Sequence, residues 1–335
     1  MILTATPYRV SFFGGGTDYP EWFREHGGCV LGMAINHYCY VALKPLPPFY
    51  PDIKYRIVYA KVEDRKTAAE IEHPAVRGCL QYMDLPDDLE ISHMGDLPAR
   101  AGLGASSSFV VGLLHALQLH GSHSWIESRL LADAAIHVER NVIGEAVGCQ
   151  DQIFAAMGGL NFIEFHAGEA ESWRCTTESL SGSRIRELEA SLVLAYTGTM
   201  RSAHVMAAKQ IEAMPDKEPY LTALKELAVE ARLLLHDEKH SLTSFGTMLD
   251  QAWRCKQQLC AGITSTDIDD LYWRGISLGA LGGKLLGAGG GGFVLFFVPP
   301  VEREVFIHRI GVPCVTFGLS QRGTHQISMP TRRIA

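Results

Sequence analysis

Four consecutive glycines at 289–292 run directly into the apolar stretch at 293–298. Glycine has no side chain to pack, and it loses more conformational freedom on folding than any other residue. A compact domain keeps such a run where the backbone must approach another group closely. Two further glycine-rich segments occur far away in the chain, at 14–16 and 102–104. Three such segments predict one phosphate-bearing ligand that is held from several sides.

Composition limits the classes of protein that this chain can represent. Its 335 residues are long for a single core, and a hydrophobic content of 47% is ordinary for a globular protein. The formal net charge of -7 argues against a nucleic-acid partner bound through a broad basic surface. No apolar run reaches the ~18–20 residues of a membrane helix, and the N-terminus lacks a secretion signal. The eight scattered cysteines are typical of reduced thiols. We therefore expect a cytoplasmic protein with no nucleic-acid and no membrane partner.

The first part of the chain combines strands with two clear helices. Roughly the first 60 residues are β-rich, and the glycines at 14–16 follow the strand-like run at 10–13. Apolar residues at helical spacing predict helices over 106–119 and 128–142. The Ser-Gly-Ser run at 181–183 is a plausible boundary, so we expect one domain over 1–182.

The second part, 183–335, has a different pattern. A strand-like run at 191–196 precedes a mostly helical stretch that reaches about residue 260. A helix predicted over 267–280 ends at Gly282 and Gly283, and strand, helix and strand follow. The predicted fold class is therefore α+β, with two domains.

The second glycine segment leads into a predicted helix. Glycines at a helix start leave backbone N–H groups free, and the helix dipole adds positive potential there, which suits a phosphate. Serine hydroxyls can bind a phosphate oxygen or Mg²⁺. The segment matches neither the Walker loop nor the dinucleotide fingerprint, because Ser107 stands where the latter requires glycine. A glycine turn with an ordinary serine N-cap remains the alternative. The candidate phosphate-binding residues are Pro98, Arg100, Gly102, Leu103, Gly104, Ala105, Ser106, Ser107 and Ser108.

Two acids follow the second segment at intervals that suit phosphoryl transfer. A Mg²⁺ ion that bridges ATP phosphates needs one or two carboxylates, and a hydroxyl acceptor benefits from a carboxylate that can take its proton. Glu139, on the second predicted helix, and Asp151, beyond it, can divide these tasks. The alternatives are a solvated helix acid for Glu139 and a loop cap for Asp151.

The first glycine segment lies between an arginine and an acid. Arg9 precedes the strand, and an arginine near a transferring phosphoryl group stabilises its charge. Asp18 follows the glycine turn, where a carboxylate can accept hydrogen bonds from sugar hydroxyls. An edge arginine and an Asx-turn are the alternatives for the two residues.

Together the three segments resemble the sequence motifs of the GHMP kinases, a superfamily that includes galactokinase, homoserine kinase and mevalonate kinase. Their order and spacing match over residues 7 to 298. The resemblance implies a two-domain fold, with an N-terminal domain like ribosomal protein S5 domain 2 and a ferredoxin-like C-terminal domain. It also implies that ATP and Mg²⁺ bind in the cleft between the domains.

The resemblance implies a role for each matching residue. Asp151 matches the catalytic aspartate, Arg9 the arginine of the first motif, and Ser106 and Glu139 the magnesium ligands. Three positions depart from the family pattern: Ala105 replaces a loop serine, Leu286 replaces a threonine, and Gly15 stands where galactokinase has glutamate. The last difference argues against galactose as the substrate. The implied substrate side consists of Gly14, Gly15, Gly16, Thr17, Asp18, Gly289, Gly290 and Gly291.

Within the superfamily, the motifs at 14–18, 27–31 and 196–203 resemble the D-glycero-D-manno-heptose 7-phosphate kinases of surface-polysaccharide synthesis. That group implies phosphorylation of the anomeric hydroxyl to give the 1,7-bisphosphate, on the way to GDP-heptose. Thr199 and Arg201 lie in the third of these motifs. Arg201 is the candidate contact for the 7-phosphate, and Arg100 is a weaker one.

Several alternatives stay open at this point. The acceptor can be another sugar, of the fucose or galactose type, or mevalonate. A sensor that binds sugar and nucleotide without catalysis can use the same fold, although the presence of both Glu139 and Asp151 favours an enzyme. The expected partners are ATP and a small sugar phosphate, and a homodimer is left open.

Overall fold

Two β-sheets organise the computed structural model, which describes residues 1–50, 52–85, 88–122, 127–168, 173–200 and 203–328. Within these ranges the larger sheet has eight strands and the smaller sheet has four. The strands are β1 Ile2–Phe13, β2 Gly28–Pro45, β3 Tyr55–Val58, β4 Val62–Arg65, β5 Leu89–Gly95, β6 Leu160–Phe165, β7 Trp173–Thr177, β8 Leu192–Tyr196, β9 Gly282–Leu285, β10 Phe293–Phe297, β11 Cys314–Val315 and β12 His325–Gln326.

Helices cover the sheets and fill the second half of the chain. They are α1 Pro20–His26, α2 Pro74–Met83, α3 Ala105–Ser122, α4 Ser128–His137, α5 Gln150–Met157, α6 Gly182–Ser191, α7 Ala203–Ala213, α8 Glu218–His236, α9 Thr243–Gln257, α10 Thr266–Ser277 and α11 Arg303–Arg309. A π-helical turn, Val138–Ile143, extends α4. None of the helices in the described part of the chain is both long and apolar enough to cross a membrane.

The larger sheet is built around β1 and β2. These two strands pair antiparallel along almost their whole length, and β1 is buried from Thr4 to Phe13 because α3, α5 and α8 pack against it. Helix α3 forms where the apolar spacing predicted it, and its side chains at Phe109, Val110 and Leu113 are buried. Because β1 is packed on both faces, its carboxyl end is held in place and can position the residues of a site.

The smaller sheet is antiparallel in the order β11, β8, β10, β9. The sequence-based order of strand, helices, strand, helix and strand is present, with β9 in addition. The prediction that Gly282 and Gly283 end a helix is wrong, because α10 ends at Ser277 and these two glycines begin β9. A Cβ at Gly283 would lie 2.4 Å from the Leu295 carbonyl oxygen, so close strand packing requires glycine there.

The chain crosses between the two parts twice. Helix α6 begins at the predicted boundary, where the Ser181 hydroxyl accepts a hydrogen bond from the Arg184 N–H. After β11 the chain returns to the larger sheet, where β12 pairs with β1 and the Thr324 N–H donates to the Ala155 carbonyl. The last described residues therefore pack on the N-terminal part, although the sequence-based division assigned them to the second domain.

The two parts meet at the carboxyl end of β1. The Phe245 ring of α9 packs edge-on against Phe12 and Phe13, with ring centroids 5.3 and 5.0 Å away. The Lys284 ammonium of β9 donates to the Phe12 carbonyl oxygen over 2.8 Å. These contacts bring the three glycine segments to one cleft.

Candidate active site

An ion pair between β1 and α5 lies at the centre of the cleft. The Arg9 guanidinium donates from Nε to Asp151 Oδ1 and from its second terminal nitrogen to Asp151 Oδ2, each over 2.7 Å. Its third donor reaches the Gly102 carbonyl oxygen, also over 2.7 Å. The Arg9 side chain is 5% exposed and that of Asp151 is 24% exposed. The structure therefore brings Arg9 and Asp151 together, and the Asp151 carboxylate stays partly exposed.

The second glycine segment is attached directly to this ion pair. The Arg9 N–H donates to the Leu103 carbonyl oxygen over 3.0 Å. Gly102 and Gly104 have φ angles of +80° and +74°, which favour glycine. A Cβ at Gly104 would lie 3.3 Å from Asp151 Oδ2, so a larger residue would crowd the acid. The free N–H groups at the start of α3 therefore lie beside Asp151, as a phosphate cradle requires.

The remaining predicted phosphate-binding residues differ in their exposure to solvent. Pro98 and Arg100 are exposed on the approach to the loop, and Arg100 has a φ of +59°. Ser106 is also exposed at the first turn of α3, whereas Ser107 and Ser108 are buried. The Ser108 hydroxyl donates to the Pro7 carbonyl oxygen over 2.9 Å.

Glu139 is fully buried behind the loop. It lies in the π-helical turn after α4, and its carboxylate accepts hydrogen bonds from the Ser107 hydroxyl over 3.1 Å and from the Gln152 amide. Burial raises the pKa of Glu139 to about 8, although the two hydrogen bonds act in the opposite direction. The structure thus brings Ser107, rather than Ser106, into contact with Glu139. The Glu139 carboxyl and the Ser107 hydroxyl supply oxygen atoms, the ligands that a hard cation such as Mg²⁺ prefers.

Asp18 is fully enclosed beside Asp151. Its carboxylate accepts hydrogen bonds from the Gly16 N–H over 3.0 Å and from the Gln150 N–H over 3.3 Å. Burial raises the pKa of Asp18, and the negative charge of Asp151 adds to the increase. A Cβ at Gly148 would lie 2.0 Å from Asp18 Oδ2, so the Gly148 backbone presses on the carboxylate.

The first glycine segment turns tightly over this acid. The Thr17 hydroxyl donates to the Gly14 carbonyl oxygen over 2.8 Å and to the Cys29 carbonyl oxygen over 3.0 Å. A Cβ at Gly14 would lie 1.9 Å from that Cys29 oxygen. Gly15 is the least enclosed of the three glycines at the turn.

The glycine run closes the cleft from the C-terminal side. A Cβ at Gly287 would lie 2.5 Å from the Gly102 Cα, and one at Gly292 would lie 2.3 Å from the Ala101 carbonyl oxygen. The Gly290 N–H donates to the Ile263 carbonyl oxygen over 2.8 Å. The run therefore packs backbone against backbone on the phosphate loop, and this close approach explains the absence of side chains.

The turn after β8 supports the same run. The Thr199 carbonyl oxygen accepts a hydrogen bond from the Gly292 N–H over 2.9 Å, and a Cβ at Gly291 would lie 2.8 Å from the Thr199 hydroxyl. Thr199 is thereby brought to the cleft. Arg201, the candidate for a substrate phosphate, lies outside the described residues.

Two buried lysines were missed by the sequence analysis. Burial, and then the positive charge of Arg9, lowers the pKa of Lys284 to about 7. Lys256, on α9, donates to the carbonyl oxygens of Leu285 and Gly287, and burial lowers its pKa well below the ordinary value. A lysine in a helix is normally solvated, so no sequence signal marked Lys256. Both amino groups lie near Arg9, since its positive charge contributes to each lowered pKa.

This geometry suits the transfer of a phosphoryl group to a hydroxyl. A cradle of N–H groups, the Arg9 guanidinium and a partly exposed carboxylate lie close together. Within the described ranges no group of three or more His, Cys, Asp or Glu could hold a metal ion. A cation at this site would therefore share its coordination with phosphate oxygens.

Comparison with protein-family models identifies the family of this chain. The GHMP kinases N terminal domain model matches residues 67–159, and the GHMP kinases C terminal model matches residues 221–311. The two matches together cover more than half of the chain. The fold and the site define an ATP-dependent phosphotransferase. The chain belongs to the GHMP kinase family, and it has that family's two-domain fold.

Individual proteins are similar to this chain over almost its whole length. The chain is 28% identical over 334 residues to the D-glycero-alpha-D-manno-heptose 7-phosphate kinase of Campylobacter jejuni, with 90% of this chain and 91% of that protein covered. A crystal structure of a D-glycero-D-manno-heptose 1-phosphate kinase from Bacteroides thetaiotaomicron has a TM-score of 0.80 at 22% identity, over 99% of this chain and 100% of that chain. Lactococcus lactis galactokinase complexed with galactose has a TM-score of 0.73 at 16% identity, over 98% of this chain and 95% of that chain. The two structural likenesses show a shared fold.

Proposed function

We propose that the protein is an ATP-dependent sugar kinase that phosphorylates the anomeric C1 hydroxyl of D-glycero-D-manno-heptose 7-phosphate to give the 1,7-bisphosphate. The observation that carries the proposal is the buried Arg9–Asp151 ion pair attached to the phosphate loop at Gly102. The relative that covers 90% of the chain at 28% identity supports the choice of acceptor. Gly15, in place of the glutamate of galactokinase, argues against galactose.

Asp151 carries the acceptor chemistry in this proposal. The two hydrogen bonds from Arg9 fix the carboxylate plane, and its exposed edge accepts a hydrogen bond from the C1 hydroxyl. The hydroxyl oxygen attacks the γ-phosphorus of ATP, the bond to the β-phosphate oxygen breaks, and the hydroxyl proton passes to Asp151. Because an anomeric hydroxyl is more acidic than an ordinary alcohol, orientation contributes more than basicity.

The loop residues hold the nucleotide. The N–H groups between Gly102 and Ser108 bind the ATP phosphates, and Arg9 stabilises the charge of the group in transfer. Glu139 and the exposed hydroxyl of Ser106 would hold Mg²⁺, with Ser107 orienting the Glu139 carboxylate. When bound, the ion neutralises phosphate charge.

The other side of the cleft holds the acceptor. Asp18 accepts hydrogen bonds from sugar hydroxyls, and the glycines at 14–16 and 289–291 allow the sugar to approach the backbone. Thr199 lies at the edge of this side, and Arg201 binds the 7-phosphate. In this proposal the product leads toward GDP-heptose for surface polysaccharides, and the enzyme acts in the cytoplasm.

A kinase assay across acceptors tests the proposal. ADP release would be measured with Mg²⁺, ATP and each of heptose 7-phosphate, free heptose, fucose, galactose and mevalonate, and ³¹P NMR would locate the new phosphate. We expect turnover of heptose 7-phosphate with phosphate at C1. Strong turnover of an unphosphorylated sugar or of mevalonate, without turnover of heptose 7-phosphate, would refute the choice of acceptor. Binding of nucleotide and sugar without ADP release would favour the sensor.

A further inference from the structure

Two buried polar side chains near Asp151 lack a hydrogen-bond partner at one polar atom each. Ser11 is 6% exposed and Gln150 is 8% exposed, and neither the Ser11 Oγ nor the Gln150 Oε1 has a partner within the described part of the chain. A buried polar atom without a partner costs about 1–3 kcal/mol, so a folded protein rarely retains one without a reason. Two such atoms in the same region point to a ligand that supplies the missing bonds.

Their positions place both residues on the acceptor side. Side chains two residues apart in a strand face the same side, and β1 is regular from Arg9 to Ser11. Ser11 therefore shares a face with the arginine that holds Asp151. Gln150 immediately precedes Asp151 in α5, and its N–H donates to Asp18. Gln150 thus adjoins both Asp151 and Asp18, and Ser11 lies on the same face of β1 as Arg9.

The space between them is open at Gly15. A Cβ at this glycine would lie 3.4 Å from the Ser11 Oγ and 3.5 Å from the Gln150 Nε2, which belongs to the same amide as the unpaired Oε1. Apart from the neighbouring glycines, no other atom of the described residues would lie within 4 Å. An oxygen that moved a few tenths of an ångström from that point would reach hydrogen-bond distance. A serine hydroxyl and a primary amide can each donate and accept, which is the complement that a hydroxyl group needs.

We propose that Ser11 and Gln150 are specificity-determining residues that bind one hydroxyl group of the acceptor in the space left by Gly15. This inference rests on the proposed function only in requiring an acceptor with more than one hydroxyl group. A site built for a hydroxyl group rejects analogues that lack it, because its polar atoms are then left unpaired. Gly15 therefore sets the shape of the subsite, and Ser11 and Gln150 set its chemistry.

Ser11→Ala and Gly15→Ala test the subsite. Ser11→Ala should raise the acceptor KM about tenfold, the loss expected for one net hydrogen bond, with the ATP KM unchanged. Its Tm should not fall, because the removed hydroxyl has no partner in the free protein. Gly15 has no positive φ, so alanine fits the backbone, and its methyl group should raise the acceptor KM by about 100-fold.

Ser191→Ala is the matched control. Ser191, at the end of α6, is also buried, but its hydroxyl donates to the Glu187 carbonyl oxygen over 2.8 Å. This variant should lower the Tm and leave both KM values unchanged. A fall in Tm for Ser11→Ala equal to that of the control, or a wild-type acceptor KM in Ser11→Ala or Gly15→Ala, would overturn the proposal.

Monodeoxy acceptors identify the hydroxyl. Analogues of heptose 7-phosphate lacking the hydroxyl at C2, C3 or C4 would be tested on wild type and Ser11→Ala. One analogue should be poor for wild type and should lose nothing further in the variant, whereas independent losses for all three would contradict the subsite. If the wild-type enzyme uses another acceptor from the panel, the proposed function fails and the variant comparison is made with that acceptor.

Discussion

The substitution Gly148→Ala tests whether Asp18 contacts the acceptor, and it leaves Asp18 itself unchanged. The added Cβ would lie 2.0 Å from Asp18 Oδ2 and 2.7 Å from its Cγ. Ordinary contact begins at 3.4 Å, so the carboxylate must move by about 1.4 Å. The movement would break the hydrogen bonds from the Gly16 and Gln150 N–H groups, because these fix its present position.

The size of the effect follows from this displacement. A misplacement of about 1 Å in a positioning group costs on the order of 100-fold in rate, which corresponds to about 2.7 kcal/mol. We therefore expect kcat/KM for the acceptor to fall by about 100-fold in Gly148→Ala. The ATP KM should stay within about twofold, since the phosphate loop does not contact Gly148. Overpacking of a buried site should also cost about 1–3 kcal/mol of stability.

Initial rates with acceptor and ATP varied separately would measure these effects, and urea unfolding would measure stability. Gly144→Ala is the control, because Gly144 has a φ of +78° and nothing within 4 Å of its Cβ position. It should cost about 1–2 kcal/mol of stability through backbone strain alone, with normal acceptor kinetics. Wild-type kinetics in Gly148→Ala would refute the placement of Asp18 at the acceptor.

Two further predictions concern the loop serines and a buried lysine. Ser106→Ala should raise the half-saturating Mg²⁺ concentration about tenfold with an unchanged Tm. Ser107→Ala should lower the Tm because Glu139 loses a buried hydrogen-bond donor. The reverse pattern in a magnesium titration would exchange the roles of the two serines. The pKa of Lys284 is lowered to about 7, so above that pH the unfolded state holds more protons and stability should rise with pH up to about 10.5. Lys284→Met should flatten this rise, by at most about 1.4 kcal/mol per pH unit in urea unfolding, and an unchanged slope would contradict the lowered pKa of Lys284.

Local patterns in the sequence were enough to predict the glycine segments and helix α3. Glycine at 102, 287 and 292 reflects close contacts between backbone segments that leave no room for a Cβ. A sequence records such contacts as clusters of glycine. The apolar spacing of Phe109, Val110 and Leu113 is a direct consequence of packing on β1. The spacing of the motifs also predicted that Arg9 and Asp151 belong to one site.

The immediate setting of Asp151 could not be predicted in the same way. The sequence left a loop cap open for this residue, but Asp151 lies in the first turn of α5. This helix has eight residues and is buried on most of its surface, so its apolar residues show no helical period. Its identity as a helix depends on packing against α3 and α4.

Contacts between elements that are far apart in the sequence account for the other features that could not be predicted. The Ser107–Glu139 hydrogen bond depends on how α3 lies against the π-helical turn, and no spacing rule encodes that crossing. The return of β12 to β1 involves two residues and has no periodicity. Lys256 is buried where it donates to the carbonyl oxygens of Leu285 and Gly287, just before the glycine run, and this requirement for a donor arises only in the folded chain.

Asp151→Asn tests the central claim most directly. The amide nearly preserves the shape of the carboxylate but removes its charge, so it can neither pair with Arg9 as an anion nor take the acceptor proton. We predict that kcat falls by about 10²–10⁴-fold, while the ATP dissociation constant measured by calorimetry stays within about twofold. Turnover near the wild-type rate in Asp151→Asn would contradict the account, because the Arg9–Asp151 pair would then carry no part of the phosphoryl transfer.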